Sequence, residues 1–161
     1  MKVAIIIGSD SDWPIMKPAA ELLKKFGIES EVTVASAHRT PAKVRDFVTT
    51  APERGVQVFI AAAGCAAHLA GVVASYTVLP VIGVPINASS LNGMDALLAT
   101  VQMPSGLPVA TMAINGAKNA AIFSAQILAA TNPELLAKLK TYREDLAAEV
   151  DEKEKRVIGQ L

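Results

Sequence analysis

Val3-Ala4-Ile5-Ile6-Ile7-Gly8-Ser9-Asp10-Ser11-Asp12 sets the architecture of the chain. Five consecutive apolar residues, four of them β-branched, read as a strand buried on both faces, which is the habit of a parallel sheet. Gly8 ends the run and a short polar loop follows. Over residues 13–26 the apolar positions change to helical spacing: Ile15, Met16, Ala19, Ala20, Leu22, Leu23 and Phe26. Asp12 suits the N-cap, Pro14 the first turn and Gly27 the C-terminal stop. Strand, loop and helix in this order make the first half of a βαβ unit.

The same alternation runs outward from that unit. Residues 28–34 alternate polar and β-branched residues and predict a second strand; Pro41 opens a helix to about residue 50. Strands follow at 57–62, 78–84 and 108–113, the fourth interrupted by Pro80. Helices follow at 66–75, 88–101 and 117–130, and a highly charged helix spans 133–157. Five strands alternating with helices predict an α/β fold: a flavodoxin-like, three-layer, doubly wound parallel sheet of order 2-1-3-4-5. Residues 1–161 read as a single domain, with an α/β core at 1–132 and the helix of residues 133–157 as an appendage. No internal repeat or linker interrupts it.

The chain has 161 residues, 15 Lys plus Arg and 15 Asp plus Glu, and no net charge with His neutral. No positive field is available for nucleic acid, and no polybasic anchor for a membrane. The charges are uneven: residues 56–133 carry only Asp95 and Lys118. Pro, Gly, Asn and His interrupt this charge-free stretch too often for a membrane span. No signal peptide is expected, because the first apolar run is short and lacks a cleavage pattern. One cysteine cannot close an internal disulfide, so a reducing, cytoplasmic setting is expected.

Ligands of such sheets bind beyond the C-terminal strand ends, near the point where the strand order reverses. The loops there are Gly8-Ser9-Asp10-Ser11-Asp12, Ala35-Ser36-Ala37-His38-Arg39-Thr40-Pro41 and Ala63-Gly64-Cys65-Ala66-Ala67-His68. They hold both histidines. The first loop has no G-x-G-x-x-G or Walker pattern. Its hydroxyls and N–H groups suit a phosphate or polyol, and equally suit a turn and helix cap. In the second, Arg39 can grip a phosphate with paired hydrogen bonds, Ser36 can add another, and His38 can exchange a proton near neutrality. In the third, small residues around Gly64 let backbone approach a ligand. There His68 reads as a ligand contact or as a hydrogen-bonded structural residue. Cys65 reads as a small apolar residue rather than a nucleophile. Histidine and cysteine spacing does not form a metal motif.

At these loops the chain resembles the N5-carboxyaminoimidazole ribonucleotide mutase (PurE) family of purine biosynthesis. The matching text is Gly8-Ser9-Asp10-Ser11-Asp12-Trp13, Ser36-Ala37-His38-Arg39-Thr40-Pro41, Ala63-Gly64, and Ala66-Ala67-His68-Leu69. It continues with Pro80-Val81-Ile82-Gly83-Val84-Pro85, Val101-Gln102-Met103-Pro104 and Asn119-Ala120-Ala121. The resemblance covers nearly the whole chain in order. It implies that His38 is the general acid/base and that Ser9, Asp12, Ser36 and Arg39 bind phosphate and ribose. It puts Gly64 and His68 in the substrate-binding third loop. Ala62, Cys65 and Ala70 depart from the family's usual Gly, Gly and Pro there.

The implied reaction interconverts N5-carboxyaminoimidazole ribonucleotide and 4-carboxy-5-aminoimidazole ribonucleotide, without metal or organic cofactor. Arg after the catalytic His resembles the mutase branch, whereas the branch that carboxylates aminoimidazole ribonucleotide directly with carbon dioxide usually has Lys. Direct carboxylation, and a flavodoxin-like nucleotide-binding module, are the alternatives; only 4% aromatic residues disfavours a flavin module. The small-molecule nucleotide substrate and a homo-octamer are the partners implied. Charge-poor helices that should carry charged outer faces in a monomer make the stretch 56–133 read as core plus subunit interface, in agreement with the assembly that the resemblance implies.

Overall fold

The computed structural model describes residues 1–160. The strands are β1 (Lys2–Ile7), β2 (Glu29–Val34), β3 (Val56–Gly64), β4 (Val81–Ile86) and β5 (Ala110–Thr111). The helices are α1 (Trp13–Lys25), α2 (Pro41–Thr49), α3 (Leu69–Ser75), α4 (Met94–Val101), α5 (Ala117–Ala129) and α6 (Pro133–Ile158). All pairings are parallel and the order is β2-β1-β3-β4-β5.

The period-two geometry of strands explains the layers. Val3, Ile5 and Ile7 of β1 face one way, into a core shared with Met16 and Leu23 of α1 and Ala121 and Ala125 of α5. Ala4 and Ile6 face the other way, toward Val44 and Val48 of α2 and Leu69 and Val73 of α3. The β1 run is therefore apolar throughout because both its faces are covered. Leu135 and Leu139 at the start of α6 bury themselves beyond α5. From Leu146 onward the side chains of α6 are exposed.

Close approach is needed at Gly83. A Cβ there would stand 2.4 Å from the Thr100 side chain and 3.3 Å from Ala70 Cβ, so this glycine lets α3 and α4 settle onto β4.

Several boundaries differ from the sequence expectation: the third strand is Val56–Gly64 rather than 57–62, and the fourth is Val81–Ile86 rather than 78–84, starting just after Pro80. The third helix starts at Leu69 rather than residue 66, because Cys65 turns the chain through a left-handed conformation with φ 54°. The fourth starts at Met94 rather than residue 88, because Asn92 (φ 53°) and Gly93 (φ 84°) form a left-handed pair just before it. The last strand pairs over Ala110–Thr111 only, not 108–113. Pro108 offers no N–H, and β5 is bonded on one side alone.

The charge-poor helices separate into two kinds. α5 packs within the chain on the sheet, α1 and α6, with an apolar groove left open between α5 and α6. On α4, Met94, Leu98 and Val101 are exposed and lie on one helix face. Tyr76, Val78, Leu91 and Leu107 are also exposed apolar residues of the charge-poor stretch. No helix among the described residues is long and apolar enough to cross a membrane.

Candidate active site

Strand register brings the three loops together. Ile7 is opposite Val34 on one side and Ala62 on the other. The ladder then continues one step: Gly8 N–H donates to Ala62 O at 3.0 Å, and Ala35 N–H donates to Ile7 O at 2.9 Å. The chain leaves β1, β2 and β3 at one level, so residues far apart in sequence line one cavity of about 350 Å³. Ser9, Asp12, Ser36, His38, Arg39, Gly64 and His68 all border it.

The first loop is held by its own side chains. Ser9 N–H donates to Asp12 Oδ2 at 3.1 Å, and Ser11 N–H donates to Ser9 Oγ at 3.4 Å, a capping box around one turn of 3₁₀ helix, Asp10–Asp12. The turn and the site are thus built from the same residues. Asp12 is buried, and burial pushes its carboxyl above the ordinary value of 3.8; the neighbouring Asp10 charge adds to this, while the Ser9 N–H opposes it.

The second loop folds around Ser36. Thr40 N–H donates to Ser36 O at 2.9 Å, Ser36 N–H donates to Thr40 Oγ1 at 2.9 Å, and Arg39 N–H donates to Ser36 Oγ at 3.2 Å. Arg39 reaches back to the first loop, with Nη2 donating to Gly8 O at 3.3 Å. This exposed guanidinium is the cation of the cavity wall. Ser9 and Ser36 are half-buried beside it, so hydroxyls, N–H groups and one fork-shaped cation face a common space.

The third loop contributes shape and a histidine. Cys65 turns the chain through a left-handed conformation with φ 54°, and Gly64 lies against the loop after β4. His68 stands at the start of α3 and reaches His38: Nε2 of His38 and Nδ1 of His68 are 2.8 Å apart, with the rings edge to face at 81°. The only two histidines of the chain therefore form one hydrogen-bonded pair on the cavity wall. Among the described residues no three His, Cys, Asp or Glu side chains gather into a possible metal site.

Sequence reasoning missed two participants. Ala88, from the loop after β4, closes the far side of the cavity; its signal was its place just beyond the C-terminal end of a strand, next to the three loops considered. Thr40, named within the second loop but given no role there, is the residue that closes it. A larger groove of about 610 Å³ runs between α5 and α6, but its walls are mostly apolar and it holds none of these groups. The convergent polar groups distinguish the smaller cavity as the candidate site.

The sequence model of the AIR carboxylase family matches residues 2–149. The N5-carboxyaminoimidazole ribonucleotide mutase of Pyrococcus horikoshii is 56% identical over 155 residues, covering 96% of this chain and 88% of its own length. That of Thermotoga maritima is 56% identical over 156 residues, covering 97% of this chain and 91% of its own. The crystal structure of Treponema denticola PurE superposes with a TM-score of 0.85 at 29% identity, over 96% of this chain and 97% of that one.

Proposed function

The chain belongs to the AIR carboxylase family, and on that footing we propose that it is an isomerase of purine biosynthesis. It interconverts N5-carboxyaminoimidazole ribonucleotide and 4-carboxy-5-aminoimidazole ribonucleotide. One observation carries this reading: the His38–His68 pair, Arg39, Ser9, Ser36 and Asp12 share one cavity beyond the C-terminal ends of β1, β2 and β3.

In this reading the nucleotide phosphate lies against Arg39, Ser9 and Ser36, and Asp12 takes the ribose hydroxyls. Gly64 forms the wall under the base. Holding the nucleotide in this way supplies orientation, the main contribution when no bond to the protein is made. His38 enters protonated. It gives its proton to the exocyclic nitrogen as the carbon–nitrogen bond of the carbamate breaks, releasing carbon dioxide and leaving aminoimidazole ribonucleotide. Ring carbon 4 then attacks the trapped carbon dioxide. Neutral His38 removes the proton from carbon 4, which restores the aromatic ring and returns His38 to its starting form. One group serves as acid and then as base because the first transfer leaves it able to accept the second.

Mutase chemistry is favoured over direct carboxylation by the relatives named as mutases at 56% identity and by Arg39 directly after His38. A flavin-binding module is disfavoured, since Trp13, Tyr76 and Tyr142 are the only large polar-tipped aromatic residues and none borders the cavity.

In the same proposal residues 1–132 carry the site in a single domain with the helix of residues 133–157 appended, the protein works in the cytoplasm, and it assembles as a homo-octamer. The exposed apolar face of α4 supports assembly, because solvent-facing helices ordinarily carry charge on that side. The test of the activity is turnover of the N-carboxylated nucleotide by the pure protein before and after His38→Asn.

A further inference from the structure

The two imidazoles meet through one nitrogen each, Nε2 of His38 and Nδ1 of His68, at 2.8 Å. A single proton fits between nitrogens at that separation. If both carried one, two N–H groups would point at each other; if neither did, two lone pairs would. The outer nitrogens, Nδ1 of His38 and Nε2 of His68, have no hydrogen-bond partner among the described residues. Among the described residues nothing else therefore sets the tautomer of either ring.

The acid form of His38 carries protons on both nitrogens. With the contact intact, its Nε2–H must then be the donor and His68 Nδ1 the bare acceptor. That requirement selects the Nε2–H tautomer of neutral His68. When His38 gives up a proton and keeps the contact, the one it loses is on Nδ1. We infer that His68 is a positioning residue: it holds the Nε2 proton of His38 through the whole cycle, so that Nδ1 alone carries the travelling proton. The inference rests on His38 being the acid/base.

The balance is simple. In the acid step the Nδ1–H bond of His38 breaks and an N–H bond forms on substrate. In the base step the carbon 4–H bond breaks and the Nδ1–H bond of His38 forms again. The proton between the rings stays bonded to His38 throughout, and His68 remains neutral. The charged and titratable groups that line the cavity with the pair are Arg39 on the same loop, Asp12 on the first loop and Cys65 on the third. The edge-to-face ring packing adds a second restraint on the orientation of His38. This arrangement resembles the use of an outer hydrogen-bond partner to fix the tautomer of a functional histidine.

The test combines NMR of the ligand-free protein with kinetics. With only two histidines in the chain, long-range ¹H–¹⁵N spectra read each ring nitrogen as protonated or bare, and His68→Leu assigns the signals. In the neutral wild type the expected result is protonated Nε2 and bare Nδ1 on His38, with bare Nδ1 and protonated Nε2 on His68. In His68→Leu, the His38 signals should collapse toward exchanging tautomers. Its kcat should fall about 10- to 100-fold, by analogy with the loss of an outer partner from a metal-bound histidine, while KM changes little. His68→Asn, whose amide oxygen can accept the same proton, should restore the His38 tautomer and part of kcat. The inference is overturned by the opposite tautomer in the wild type, or by a His68→Leu variant that raises KM and leaves kcat unchanged. The spectra need no turnover, so their failure is distinct from a failure of the mutase reading, which would show as an inactive wild type.

Discussion

Gly64 and Ala88 touch across the mouth of the candidate site: a Cβ added to Gly64 would stand 2.5 Å from Ala88 Cβ and 3.2 Å from Ile86 O. Neither neighbour is the end of a flexible side chain. The loop after β4 is therefore seated directly on the last residue of β3, and the cavity takes its width from that contact.

Gly64→Ala should push the Ala88 loop outward. Overpacking of this kind costs about 1–3 kcal/mol, readable as a lower midpoint in urea. The KM for nucleotide should rise in the same variant, because the wall formed by Gly64 and Cys65 moves with the loop. A variant with unchanged midpoint and unchanged KM would show that the Ala88 loop yields freely.

Asp12 gives a pH-dependent prediction. Its folded-state carboxyl is pushed above 3.8, chiefly by burial. A group with a raised folded value contributes stability that is fully present below the unfolded value and is lost as pH rises through the folded one. Ionised Asp12 is thus a net strain at neutral pH. Asp12→Asn removes the charge and keeps an amide oxygen for the Ser9 N–H. Thermal unfolding should find the variant more stable than the wild type at pH 7, with the difference shrinking toward pH 4. Its turnover should fall, since the ribose contact is weakened. A variant less stable than the wild type at pH 7 would mean that the carboxylate caps the first loop better than it suffers from burial.

The face of α4 makes a prediction about assembly. Leu98 is 51% exposed, and the substitution Leu98→Glu removes little packing from the chain itself. The wild type should run at a native mass several times 16.8 kDa, and Leu98→Glu should run smaller with its helical signal intact. A wild type that is monomeric at micromolar concentration would remove the reason given for the uncharged helix face.

The parts of this fold that could be read in advance depend on local pattern. The continuous apolar run at residues 3–7 announced a doubly covered strand, and the alternation with helices gave the order of the sheet. The three site loops followed from that order, because ligand sites in such sheets follow topology. The features that escaped depend on contacts distant in sequence. The late starts of α3 and α4 come from left-handed residues, Cys65 and Asn92, in which no periodic pattern is written. The uncharged character of α5 is owed in part to α1 and α6 of the same chain, which pack on it from positions distant in sequence. The pairing of His38 with His68 needed the actual reach of two side chains from two strand ends. Ala88 entered the site only because Gly64 leaves room for it.

The most direct measurement is conversion of purified N5-carboxyaminoimidazole ribonucleotide in a buffer stripped of bicarbonate. It is run beside aminoimidazole ribonucleotide plus bicarbonate, with the wild type and with His38→Asn. The wild type should convert the first substrate to the 4-carboxy product and act poorly on the second. His38→Asn should bind the nucleotide and convert neither. Efficient use of aminoimidazole ribonucleotide with bicarbonate in place of the carbamate, or near-normal turnover by His38→Asn, would contradict the account.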